Sequence, residues 1–144
     1  MRPVLAVFFA ILAVSCADDA IPERAFDPEG SPPTGVLVSY GLGGGECASC
    51  GWTLTLEEDG TATFATEDDT VTFSHDAQTA RAMIAALDPS DLITGRADCG
   101  REVDGDAPTL RVRGVGLLDG CYATWDSAHP LLVHLESVRE AAQG

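Results

Sequence analysis

Cys47 and Cys50 form a C-x-x-C pair, and no other residues of this chain bear so directly on chemistry by type and spacing. Such a pair exchanges thiol for disulfide when its first sulfur is held as a thiolate, which a helix N-terminus achieves by lowering the thiol pKa. Here Gly51 and an alternating run from Trp52 follow the pair, so a strand is expected and that source of activation is missing. Glu46, beside Cys47, disfavours a thiolate further. A four-sulfur zinc centre would also recruit Cys99 and Cys121, but these are too far apart in sequence to form a second close knuckle. Neither chemistry is the favoured reading, and the segment from Gly41 to Trp52 is read first for its shape. Gly43, Gly44, Gly45, Glu46 and Trp52 make it an exposed candidate binding loop.

Other candidates yield to plainer readings. Ser74, His75 and Asp76 carry the residue types of a hydrolytic triad, but triads are assembled from distant parts of a chain. Helix capping accounts for Ser74 or Asp76 without catalysis. His129 and His134 are five positions apart, not the four that would place two metal ligands on one helix face. The acidic groups at 57–59, 67–69 and 104–106 offer oxygen ligands, with Asp104 and Asp106 the best placed for a weak calcium site. None follows the EF-hand loop, and the expectation is no metal and no cofactor.

The positioning elements begin with a leader. Arg2 precedes an eleven-residue apolar run at 4–14, shorter than the roughly 20 residues a membrane-spanning helix needs and suited to a signal-peptide core. The run ends in Leu12-Ala13-Val14-Ser15-Cys16, which resembles a bacterial lipobox. The resemblance implies cleavage before Cys16 and lipidation of its sulfur; Ala17 after it, in place of Asp, implies the outer membrane. Removing the leader's single Arg takes the formal charge from −15 to −16, and every basic residue is Arg. That balance excludes nucleic acid and anionic lipid head groups as expected partners. Setting Cys16 aside leaves four cysteines in an exported chain, which read as structural disulfides. The expected links run from Cys47 or Cys50 to Cys99 and Cys121, because a Cys47–Cys50 bridge closes almost no loop.

Residues 16–34, with four prolines and little apolar mass, read as a lipidated disordered tether. Residues 35–144 read as one domain. Strands are expected at 36–40, 52–57, 61–66 and 71–73, with Asp59-Gly60 as a hairpin turn. A helix is expected at 77–87, stopped by Pro89, then a long polar connection at 88–106. Strands at 110–112 and 121–125 flank an Asp119-Gly120 turn, and Pro130 opens a last helix. Short links and segregated helices predict an α+β fold, an antiparallel meander with two helices on one side and a disulfide staple.

From 36 to 142 the chain resembles a family of uncharacterised bacterial lipoproteins. The matching pieces are Gly43-Gly44-Gly45-Glu46-Cys47, Cys50-Gly51-Trp52, Asp59-Gly60, Asp106-Ala107-Pro108 and His129-Pro130-Leu131-Leu132. Gly51-Trp52 stands where the family pattern has Pro-x-Tyr, and Cys99 and Cys121 are additions to it. The resemblance implies no activity. The expectation is a non-enzymatic, outer-membrane-anchored interaction module for another envelope component. The alternatives are thiol–disulfide exchange through Cys47 and Cys50, or inhibition of a metallopeptidase, since small secreted inhibitors of that class open with a similar Gly-rich turn.

Overall fold

The computed structural model describes residues 21–43, 50–97, 99 and 107–144. It is an α+β fold. Nine strands are described: β1 (Phe26–Asp27), β2 (Val36–Leu42), β3 (Trp52–Glu57), β4 (Thr61–Thr66), β5 (Thr70–Ser74), β6 (Ile93–Arg96), β7 (Pro108–Val112), β8 (Gly116–Asp119) and β9 (Ala123–Trp125). Three helices join them: α1 (Ala77–Ala85), α2 (Pro89–Leu92) and α3 (Pro130–Gln143). The main sheet is antiparallel with order β1-β8-β7-β2-β3-β4-β5, and β6 pairs with β9 in a separate ribbon.

The register shows how sequence alternation becomes a core. One row crosses all seven strands as Phe26, Leu118, Leu110, Tyr40, Leu54, Phe64 and Val71. The next row is Asp27, Leu117, Arg111, Ser39, Thr55, Thr63 and Thr72. Successive side chains on a strand point to opposite faces, so the first row faces the core and the second faces out. Leu131, Leu132 and Leu135 of α3 and Ala80 of α1 close over the apolar face, and among the described residues no polar or charged one is buried in that core. Each fully buried leucine stabilises by roughly 1.5–3 kcal/mol relative to exposure.

Local chemistry sets the element ends. Gly60 adopts φ 91°, left-handed, and Asp59 Oδ1 accepts from Thr61 N at 2.8 Å, which closes the β3–β4 turn. Asp76 caps α1 by accepting from Gln78 N and Thr79 N, and Pro130 takes the first position of α3.

Several expectations are corrected. The meander holds from β2 to β5 only; β7 and β8 return to the far side of β2, and β1 closes that edge. The 88–106 connection contains α2, capped by Asp88, and β6. The Asp119-Gly120 turn links two sheets instead of closing a hairpin, because β7 pairs with β8 and β9 with β6.

The disordered-tether reading is corrected over its described part. Ala25 is fully buried, and its carbonyl accepts from Asp119 N at 2.8 Å. Arg111 donates to Gly30 O at 3.2 Å. Gly116, at φ 133°, lets this segment approach, since a Cβ there would collide with the backbone of Asp27 and Pro28. Composition misleads here because three small buried residues, Ala25, Gly30 and Pro32, and a two-residue strand suffice to dock a proline-rich segment. Ala25→Asp should therefore destabilise the chain by about 2 kcal/mol or more, because it buries an unpaired charge. Urea unfolding checks this; an unchanged midpoint would return the segment to a tether.

Candidate functional site

The Gly-rich segment leaves the sheet at the β2–β3 end. Gly43 is exposed just beyond β2, Cys50 is exposed just before β3, and Trp52 pairs with Leu42 on one side and Thr66 on the other. Gly44, Gly45, Glu46 and Cys47 lie outside the described residues, as do Cys16, the leader, Asp104 and Asp106.

Trp52 is held from three directions. Its ring meets Tyr40 edge-on at 5.0 Å between centroids and lies 6.1 Å from Phe64. The Arg139 guanidinium sits 5.1 Å from the indole centroid, a cation–π contact from α3. Arg139 is itself fixed: its Nε donates to Glu136 Oε2 at 2.8 Å, and its Nη1 to Gln143 Oε1 at 3.2 Å. The other carboxylate oxygen of Glu136 accepts from the Tyr40 hydroxyl at 2.7 Å. Burial, and then the hydrogen bond to Glu136, push the Tyr40 phenol well above its ordinary value, so it remains a neutral donor. Tyr40, Glu136, Arg139 and Trp52 thus form one clamp that joins β2, β3 and α3. Sequence reading picked out Trp52 and missed its partners. The available signal was the Glu136/Arg139 spacing of three on a helix, a side-chain pair by geometry.

The sulfurs are arranged differently from expectation. Cys99 bonds to Cys121, with Cα atoms 4.7 Å apart, and Cys50 is also disulfide-bonded. The expected cross-links from the close pair to Cys99 and Cys121 are therefore corrected: these two distant cysteines staple each other. The bridge ties the polar connection after β6 to the turn before β9, and closing a loop of 22 residues contributes about 3 kcal/mol. A zinc centre of four thiolates is incompatible with it.

The acidic groups that are described serve turns. Glu58 forms an ion pair with Arg113 and accepts from Arg81 at its carbonyl, and Asp69 Oδ1 accepts from Thr70 N. Among the described residues no group of three His, Cys, Asp or Glu side chains is arranged to hold a metal.

The triad vocabulary also dissolves. Asp76 spends both oxygens on Gln78 and Thr79, and the Thr79 hydroxyl is the main reason its carboxyl is held below the usual range. His129 accepts from Leu131 N through Nδ1 and caps α3. The structure adds an approach that spacing could not show. His75 donates from Nε2 to Glu57 O at 2.9 Å, which leaves its buried Nδ1 without a partner among the described residues. His134 Nε2, on α3, is likewise buried without a partner. Burial, then the nearby His75 charge, lower the His134 pKa, partly opposed by Asp76.

Compared with protein-family models, curated proteins and solved structures, the chain finds no match.

Two outcomes follow from this geometry. Tyr40→Phe removes one of the donors to Glu136 and should cost about 1.5–3 kcal/mol, the range for a hydrogen bond to a charged group. Chemical denaturation measures it, and a cost below a few tenths would show that the clamp carries no energy. The second outcome concerns pH. The folded pKa of His134 lies below its unfolded value near 6.5, so the unfolded chain binds more protons. Stability should be full above about pH 6.5 and fall as pH drops below it. The lowered carboxyls of Asp59, Asp76 and Asp88 act only near pH 4 and below. His134→Gln should flatten the stability profile between about pH 6.5 and 5; an unaltered slope would remove His134 as its source.

Proposed function

We propose that this chain is a lipid-anchored lipoprotein of the bacterial envelope whose α+β domain binds another envelope component without catalysis. Gly43 and Cys50 are both exposed, at the end of β2 and just before β3. The observation that carries the reading is the clamp on Trp52. An aromatic ring at the β2–β3 end of the sheet, beside exposed Gly43 and Cys50 and fixed before any partner arrives, loses little freedom on binding, and rigid aromatic residues dominate interface energies. Cys16, in its lipobox-like setting, supplies the anchor, and Ala17 favours the outer membrane. The acidic balance supports a protein partner over nucleic acid. Thiol–disulfide exchange through Cys47 and Cys50 is the second reading, supported by the exposure and the bonded state of Cys50.

The test uses the full chain expressed in a bacterium, with a photo-reactive residue at Gly43. Irradiation should give one discrete adduct with an envelope component, and Trp52→Ala should lose it while the protein still folds. Cys16→Ser should move the chain from the membrane to the soluble fraction. An adduct indifferent to Trp52→Ala, or membrane retention without Cys16, would contradict the proposal. An adduct lost only in Cys47→Ser or Cys50→Ser would favour the exchange reading.

A further inference from the structure

The two edges of the main sheet are finished differently. β1 is two residues long, carries Asp27 and runs into Pro28, features that discourage a further strand. β5 is five residues long, Thr70 to Ser74, with no charge and no proline. It pairs with β4 in unbroken register from Thr70 opposite Ala65 to Ser74 opposite Thr61.

Hydrogen bonds at both ends of β5 fix which of its peptide groups are spent. Thr66 N donates to Asp69 O at 2.8 Å, and His75 N donates to Gly60 O at 2.9 Å. Antiparallel ladders alternate, so residues 69, 71, 73 and 75 turn their peptide groups to β4, and Thr70, Thr72 and Ser74 turn theirs outward. Asp69 Oδ1 occupies Thr70 N at 2.8 Å. The outward groups of Thr72 and Ser74 meet no protein group among the described residues. The side chains alternate too: Val71 and Phe73 are half-buried, while Thr70, Thr72 and Ser74 are exposed.

Charge selects the occupant. Exposed Glu67, Asp68 and Asp69 stand at one end of the strand, and exposed Asp76 stands just past the other. A second copy added antiparallel about Thr72 would place Asp68 opposite Asp76 at both ends. Added parallel, it would set the two acidic turns side by side. Like charges directly opposite destabilise strand pairing, so self-association is disfavoured. From the open ladder and its acidic flanks, we propose that β5 is a docking edge for an extended peptide segment with Arg or Lys on both sides of a short alternating stretch. The segment adds an eighth strand by main-chain pairing, with its apolar residues beside Val71 and Phe73. This edge is a different surface from the Trp52 loop.

The test titrates the full chain, in detergent, with a labelled peptide of alternating Val and Thr bearing Arg pairs at both ends. Saturable binding should slow amide exchange at Thr72 and Ser74. Thr72→Pro removes an outward N–H and leaves the β4 ladder intact; it should weaken binding about tenfold or more, near 1.4 kcal/mol. Glu67→Gln with Asp68→Asn, outside the ladder, should weaken it without affecting folding, which keeps the test decisive if Thr72→Pro misfolds. A peptide with Glu in place of Arg, or interrupted by proline, should not bind. Equal binding by the folded Thr72→Pro variant or by the proline-interrupted peptide would overturn the proposal, since charge alone would then explain it. A concentration-dependent dimer abolished by Thr72→Pro would overturn it as well, by giving the edge to a second copy.

Discussion

Burial of one face of the seven-stranded sheet is the constraint on which the rest of the structure depends. The row from Phe26 to Val71 is apolar except for one phenol hydroxyl, and the adjacent row, from Asp27 to Thr72, is largely polar. A one-residue slip in any strand would exchange the rows. The register is therefore fixed by the same alternation that builds the core. Among the described residues no polar or charged side chain is buried in that core, so their charged groups lie outside it.

Tyr40 is where that constraint meets the candidate site. Its ring belongs to the core row, 7 % exposed, and its hydroxyl must be satisfied at the edge of an apolar layer. Glu136 accepts it, and Arg139, neutralising Glu136, reaches over Trp52. A requirement of the core thus becomes order at the β2–β3 end of the sheet. The Cys99–Cys121 staple acts elsewhere, on the β6–β9 ribbon, where short strands and a long connection offer little apolar area.

What could be read in the sequence was local. The strands at 36–40, 52–57 and 61–66, the Asp59-Gly60 turn, a cap at Ser74 or Asp76 and Pro130 all follow from period and end chemistry, while β2 runs on through Gly41 to Leu42 and the cap is Asp76. What could not be read depends on distant partners. β6 is Ile-Thr-Gly-Arg, too short to show alternation, and becomes a strand only because β9 lies beside it. β8 sits among glycines that resemble a turn, and Ala25 is buried only because β8 is there. Trp52 was legible as an aromatic after a cysteine pair. Its partners on α3 were not, since nothing local states where that helix lies.

The central claim is that the Tyr40–Glu136–Arg139 clamp holds the loop end of the β2–β3 hairpin against α3. Residue-resolved amide hydrogen exchange on the full chain, with and without Arg139→Ala, tests it most directly. The account predicts faster exchange in the variant at the hydrogen-bonded amides of Leu42, Trp52 and Thr53, with the protection of Leu54, Leu56 and Leu110 preserved. Unchanged exchange at the hairpin end, or equal loss across the whole sheet, would contradict it.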